Sequence, residues 1–171
     1  MNNITNDNQL ILDDFTSIDA VQSEVNKYRL DSGDFLFNTR NSFELVGKSA
    51  VFRDSRLWLF NNNILRIKFQ KQIFPEFINF FFTSTFCKKQ LKNIKSGTTN
   101  VSAIYLKDLK KITLPDIPYE KQIQITEQIQ LVSKKINSLN IIYENKLSSY
   151  ESLKSSILNN IFKEKITEDA A

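Results

Sequence analysis

The stretch PYEKQIQITEQIQLVSKKINSLNIIYENKLSSYESLKSSILNNIFKEK, from Pro118 to Lys165, decides the architecture of this chain. No Gly or further Pro interrupts it. Its apolar residues Ile125, Ile129, Val132, Ile136, Leu139, Tyr143, Leu147, Tyr150, Leu153, Ile157 and Ile161 recur in steps of three and four, which aligns side chains along one face of an α-helix. The stripe stutters once at Tyr143, with a compensating short step near Leu153. Pro118 suits the first helical position, where a missing N–H costs nothing; Glu120 sits in the first turn, and Lys163 and Lys165 sit near the negative end of the helix dipole. A helix of about 46 residues is about 70 Å long, well beyond the width of a domain built from the rest of the chain. The stripe is therefore expected to pack against another long helix. The alternative, a stripe folded back as a hairpin on its own domain, needs a break near Asn137–Asn140 or Ser148–Ser149.

Working outward, the whole chain has 171 residues, 41% apolar and 25% charged, enough for one domain with a core plus this appended helix. No run of about 18 uninterrupted apolar residues is present, and the first residues lack the basic and apolar regions of a signal peptide, which points to the cytoplasm and away from a membrane. The single Cys87 forms no internal disulfide and has no partners for zinc, and the absence of histidine removes the commonest general base and metal ligand together. Asp13, Asp14, Asp31 and Asp34 match no nuclease spacing and read as turn and capping residues, and no Gly-rich phosphate loop exists. These features exclude most hydrolase mechanisms and imply no cofactor, no bound metal and no turnover. Charge is uneven along the chain. Residues 1–34 carry two basic against seven acidic side chains, residues 35–115 fourteen against four, and residues 116–171 seven against eight. The basic middle is either an ordinary solvated surface or a phosphate-facing one.

The local patterns predict an α+β fold, a small mixed β domain with a core helix, followed by one long coiled-coil-like helix. Residues 10–25 read as a short helix or loop. Asp31-Ser32-Gly33-Asp34 is a turn cluster before the apolar run Phe35-Leu36-Phe37, a buried strand. Asn38 to Ser42 reads as a polar loop, Gly47 to Phe52 as a strand, and Arg56–Phe60 and Ile64–Phe69 as two more around Asn61-Asn62-Asn63. Pro75 opens a Phe-rich helix running to about Leu91. Ser96-Gly97-Thr98-Thr99-Asn100 is a polar loop, Leu106–Leu109 a short turn, and Ile112–Leu114 a last strand.

In this order the motifs resemble half of a type I restriction-modification specificity subunit, one target-recognition domain followed by one spacer helix. The residues that carry the resemblance are Leu30–Phe37, Arg40, Val46-Gly47-Lys48, Asn63–Ile67, Ser96–Asn100, Leu106–Leu109, Ile112–Pro115 and Glu120-Lys121-Gln122-Ile123. They extend over about residues 28–165. Domains of that family usually begin with a Trp-containing strand and a Gly-rich turn that have no counterpart here, so the resemblance implies a domain shortened at its N-terminus. The joint Asp116–Gln122 also departs from the family's closer spacing of Pro and Glu-Gln.

The resemblance implies a reading domain over residues 1–115, a spacer helix over 116–165 and a disordered tail over 166–171. It further implies binding to double-stranded DNA, a methyltransferase subunit that brings catalysis and S-adenosylmethionine, and a restriction subunit recruited through it. The helix then pairs two copies, or this chain with another specificity subunit. Base readers would come from Arg40, Asn41 and Ser42 and from Gly97, Thr98, Thr99 and Asn100, because Arg grips guanine and Asn grips adenine through paired hydrogen bonds. Lys48 and Arg53 would serve as further DNA contacts, Lys48 at a phosphate. The competing reading makes Asn38, Asn41 and Asn100 turn formers, and Gly33 and Gly47 backbone specialists. A second function remains open at this point: a fragment that no longer reads DNA and acts only as a helix-mediated assembly partner of a full-length specificity subunit.

Overall fold

The computed structural model describes residues 3–13, 15–98 and 101–168. Their contacts divide the chain into two units, Met1–Thr126 and Glu127–Ala171. The first is α+β. Strand β1 (Phe35–Asn38) lies between β3 (Ser49–Val51) and β4 (Ile64–Ile67), antiparallel to both, with Phe35 opposite Val51 and Ile67. Every β1 residue is buried, as a central strand covered on both faces must be. Alternation sends Phe35 and Phe37 into one cluster with Phe77, Ile78, Phe82, Cys87 and Leu91, while Leu36 joins Ile4, Leu30, Ala50 and Phe52 in another. Phe82 meets both Phe35 and Phe37 edge-on, at 5.4 and 5.8 Å between ring centres.

Several elements depart from expectation. The Phe-rich helix is two helices, α2 (Pro75–Thr83) and α3 (Thr85–Ile94), broken at Ser84. Ser84 takes an extended backbone, and its hydroxyl accepts from the Cys87 N–H, so it caps a new helix. Arg56–Phe60 does not form a strand. Only a single bridge joins Leu59 to Arg29, with Leu30 N–H donating to Trp58 and Phe60 N–H to Tyr28. Ile112–Leu114 is not a strand either, since a side chain satisfies its backbone: the Gln90 amide accepts from Thr113 N–H and donates to Thr113 C=O. Near the N-terminus, α1 (Gln22–Tyr28) is a short helix whose Glu24 carboxylate accepts from Val21 N–H.

The first residues are stitched to the core. Ile4 bridges Leu10 and is 2% exposed. Asn8, in the left-handed region at φ 57°, donates to Ser49 Oγ and accepts from Ser49 N–H, while Asn79 donates to its carbonyl and accepts from Ser49 Oγ. This network ties the N-terminal segment to β3 and α2 together.

A second sheet is made of three two-residue strands in the order β2 (Arg40–Asn41), β6 (Ser102–Ala103), β5 (Ser96–Gly97), all antiparallel neighbours. The segments read as loops at Arg40–Asn41 and Ser96–Gly97 are thus strands, because each finds its partner in β6. Only Thr39 separates β1 from β2. Its N–H and hydroxyl both donate to Asn63 C=O, and its own C=O accepts from Ile104 N–H, so one residue connects both sheets. A one-turn helix, α4 (Leu106–Leu109), follows β6.

Helix α5 runs from Tyr119 to Glu168 as 50 residues. It passes without a break through Asn137–Asn140 and Ser148–Ser149, and it continues beyond the expected end near Lys165. Pro118 lies one position before the helix, its C=O accepting from Lys121 and Gln122 N–H. Within the first unit, buried Gln122 accepts from Phe74 N–H and donates to the carbonyls of Gln72 and Ile117, and Ile125 packs on the core. In the second unit Ile129 is half-buried, while Val132, Ile136, Leu139, Tyr143, Leu147, Tyr150, Leu153, Ile157 and Ile161 are all exposed, each by 49% or more. No helix among the described residues is long and apolar enough to cross a membrane.

Candidate nucleic-acid interface

The small sheet gathers two groups of residues that the chain keeps far apart. In its register Arg40 and Ser96 flank Ala103, and Asn41 and Gly97 flank Ser102. Arg40 is exposed, and nothing among the described residues pairs with its guanidinium. Asn41 Oδ1 accepts from Ser42 N–H at 2.8 Å, and Ser42 C=O in turn accepts from Leu45 and Val46 N–H. One lone pair of that oxygen is therefore committed to a turn, and the amide N–H groups with the second lone pair are left to offer a ligand.

Gly97 is set by geometry. Its φ is +118°, and a Cβ there would strike the Val101 carbonyl oxygen. The hairpin it permits is closed by Thr98 N–H donating to Val101 C=O and by Ser102 Oγ donating to Thr98 C=O. Thr98 is exposed beside it, while Thr99 and Asn100 lie outside the described residues.

Two of the expected contacts have side-chain partners within the domain. Lys48 is half-buried and donates to Ile4 C=O at 3.4 Å, and Arg53 forms an ion pair with Glu76 of α2. Two of the candidate metal carboxylates, Asp31 and Asp34, also have local tasks. Asp34, 2% exposed, accepts from Asp31 N–H, and Lys68 pairs with Asp31 at 2.6 Å, holding its carboxyl below the usual range by hydrogen bonding and charge. Among the described residues no group of three or more Asp, Glu, Cys or His could hold a metal; Asp14 is outside them.

What the sequence reading did not single out is the lysine set that brackets the hairpin. Lys88, Lys89 and Lys92 lie on α3, Lys95 follows it, and Lys107, Lys110 and Lys111 belong to α4 and its end. Lys95 donates to Phe43 C=O and sits 4.9 Å from the Phe43 ring; burial lowers its pKa. A usable signal was present, since Asp108 is the only acidic residue between Lys88 and Lys111.

The chain thus combines an α+β domain, whose small sheet is flanked in sequence by lysines, with a long helix that bears an exposed apolar stripe. Residues 1–149 match the type I restriction modification DNA specificity domain, and the chain belongs to that family. It is 26% identical over 157 residues to the type I restriction enzyme EcoKI specificity subunit of Escherichia coli K12, covering 90% of this chain and 34% of the relative. It is 30% identical over 124 residues to a protein provisionally named the type I restriction enzyme MjaX specificity subunit of Methanocaldococcus jannaschii, covering 71% and 29%. The chain thus spans about a third of the length of the curated relatives it matches.

Proposed function

We propose that this chain reads a DNA sequence as the specificity component of a type I restriction-modification enzyme and performs no turnover of its own. The observation that supports the reading is the convergence of Arg40–Asn41 with Ser96–Gly97 on one small sheet, with Ser42 and Thr98 next in sequence to them, although β3, β4, α2 and α3 separate the two strands in the chain. A small antiparallel sheet of this kind suits the major groove, which is wide enough to admit a two-stranded ribbon. Arg40 and Thr98 are the leading base readers, with Thr99 and Asn100 as further candidates.

In this reading residues 1–115 form the recognition domain and residues 116–165 the spacer. A methyltransferase subunit supplies S-adenosylmethionine chemistry, and a restriction subunit joins through it. The open stripe on α5 pairs with the same stripe of a second copy, antiparallel, or with another specificity subunit. Two copies would present two identical readers, so the target is two inverted half-sites across a fixed gap. All of this takes place in the cytoplasm.

The test is co-expression with a candidate methyltransferase subunit, followed by mapping of methylated bases in the host DNA. A single bipartite motif supports the proposal. Random or absent methylation, with the complex intact, would instead assign the chain to an assembly role in which the helix matters and the domain does not read.

A further inference from the structure

The stretch from Lys88 to Lys111 holds seven lysines and one acid, Asp108. On α3 the inward side chains are Cys87, Leu91 and Ile94. Steps of four and three then place Lys88, Lys92 and Lys95 in one row along the flank of that helix, with Lys89 beside it. The row ends at Lys95, whose ammonium is held on Phe43, next to Ser42 and the end of β2. Beyond the hairpin, α4 contributes Lys107 and Lys110. The two helices share a core through Leu91 and Leu109, and Gln90 of α3 grips the backbone of Thr113 just past α4. Among the described residues, only Lys111 of this set forms a direct ion pair, with Asp108 at 2.7 Å, while Glu44 acts on Lys95 and Asp108 on Lys107 through longer-range charge.

Exposed cations crowded in this way repel one another unless an anion lies among them. From Lys88 to Lys95 the row measures about 10 Å along the helix, comparable with the axial length of about three phosphates of one DNA strand. Its place at the base of the hairpin is where a backbone would run if the hairpin entered a groove.

We infer that the lysines of α3 and α4 form a phosphate-binding ledge for one strand of duplex DNA, separate from the residues that read bases. The assignment rests on the DNA-reading proposal above and replaces Lys48 and Arg53, already engaged with Ile4 and Glu76, as the principal backbone contacts. Backbone contacts set affinity and its salt dependence for every sequence alike, whereas base contacts set preference.

The test uses the full chain and a labelled mixed-sequence duplex of about 30 base pairs, titrated at several KCl concentrations between roughly 50 and 200 mM. The ledge variant combines Lys88→Gln, Lys92→Gln, Lys107→Gln and Lys110→Gln. A charge-matched control combines Lys134→Gln, Lys135→Gln, Lys146→Gln and Lys154→Gln on α5. If each ledge lysine meets one phosphate, the slope of log affinity against log salt falls by about 3 to 4 in the ledge variant and stays unchanged in the control. Equal effects of the two variants mean that bulk charge alone is at work, and an unchanged slope in the ledge variant likewise overturns the assignment. So does a ledge variant that binds the duplex normally but loses a methyltransferase subunit, because the ledge then faces an acidic protein. If the unaltered chain binds no duplex at the lowest salt, the DNA-reading proposal itself fails and the ledge fails with it. All four side chains are exposed, so the melting temperature is expected to hold; if it falls, Lys92→Gln and Lys107→Gln tested singly should each lower the slope by about 1.

Discussion

Arg40 and Asn41 are neighbours on one short strand, but their freedom differs. Nothing among the described residues pairs with the Arg40 guanidinium, whereas the Asn41 carboxamide oxygen already accepts from Ser42 N–H. Arg40→Ala should relax the preference of the DNA-binding complex for its target, weakening the preferred site by about 1–3 kcal/mol while leaving the melting temperature unchanged. Competition between matched and mismatched duplexes checks this, and an unchanged preference would remove Arg40 from the site. Asn41→Ala should act chiefly on stability, by about 1 kcal/mol, through the lost turn bond. At Gly97 an added methyl group collides with Val101, so Gly97→Ala should lower the unfolding free energy by about 1–3 kcal/mol in urea titrations. Cys87 is fully buried, and burial pushes its thiol up to about 12. Ionised thiolate is the reactive form, so alkylation at pH 8 should run about a thousandfold slower in the native protein than after denaturation. Rapid native labelling would show that α3 opens readily from the core.

Among the elements, the root of α5 is the most tightly specified. Gln122 satisfies three backbone groups from a site only 6% exposed, including the N–H at the start of α2. Gln122→Ala strands all three, and chemical denaturation should show a loss of about 2–3 kcal/mol. Elements whose patterns are local were readable in advance: α5 from its spacing and the lack of Gly and Pro, β1 from its apolar run after a turn, and the start of α2 from Pro75. Elements that depend on distant partners were not. Arg40–Asn41 is polar and two residues long, and it becomes a strand only because Ser102–Ala103 arrives beside it. Ile112–Leu114 looks like a strand but is completed by a glutamine side chain. The break at Ser84 was written as Thr83-Ser84-Thr85, a run of helix-capping residues, but the surrounding phenylalanines masked it.

For the molecule as a whole, the open stripe of α5 is the feature with the largest consequence for assembly. The paired-copy reading predicts a dimer at micromolar concentration by light scattering. It also predicts that Ile136→Asp with Leu139→Asp yields a monomer, since charge on an apolar helix seam is costly to bury. A monomeric unaltered chain would count against self-pairing. The candidate site was legible as groups of residues rather than as a surface. The loops at residues 40–42 and 96–100 could be picked for their chemistry, yet nothing local revealed that β6 would bring them together or that Lys48 and Arg53 would turn to other partners.

Thr39 has a thermodynamic consequence of its own. Because its N–H and hydroxyl bond to Asn63 and its C=O to Ile104, the strand that carries Arg40 and Asn41 is an extension of the central core strand. Ordering entropy for that strand is therefore already spent at folding, and a ligand held by it meets a pre-organised platform. Calorimetry should show a small heat-capacity change from this sheet, close to that of rigid docking and well below the signature of coupled folding. Thr39→Gly, which removes the hydroxyl bond and loosens the backbone, should shift the balance toward a less favourable binding entropy while leaving the contacts themselves in place.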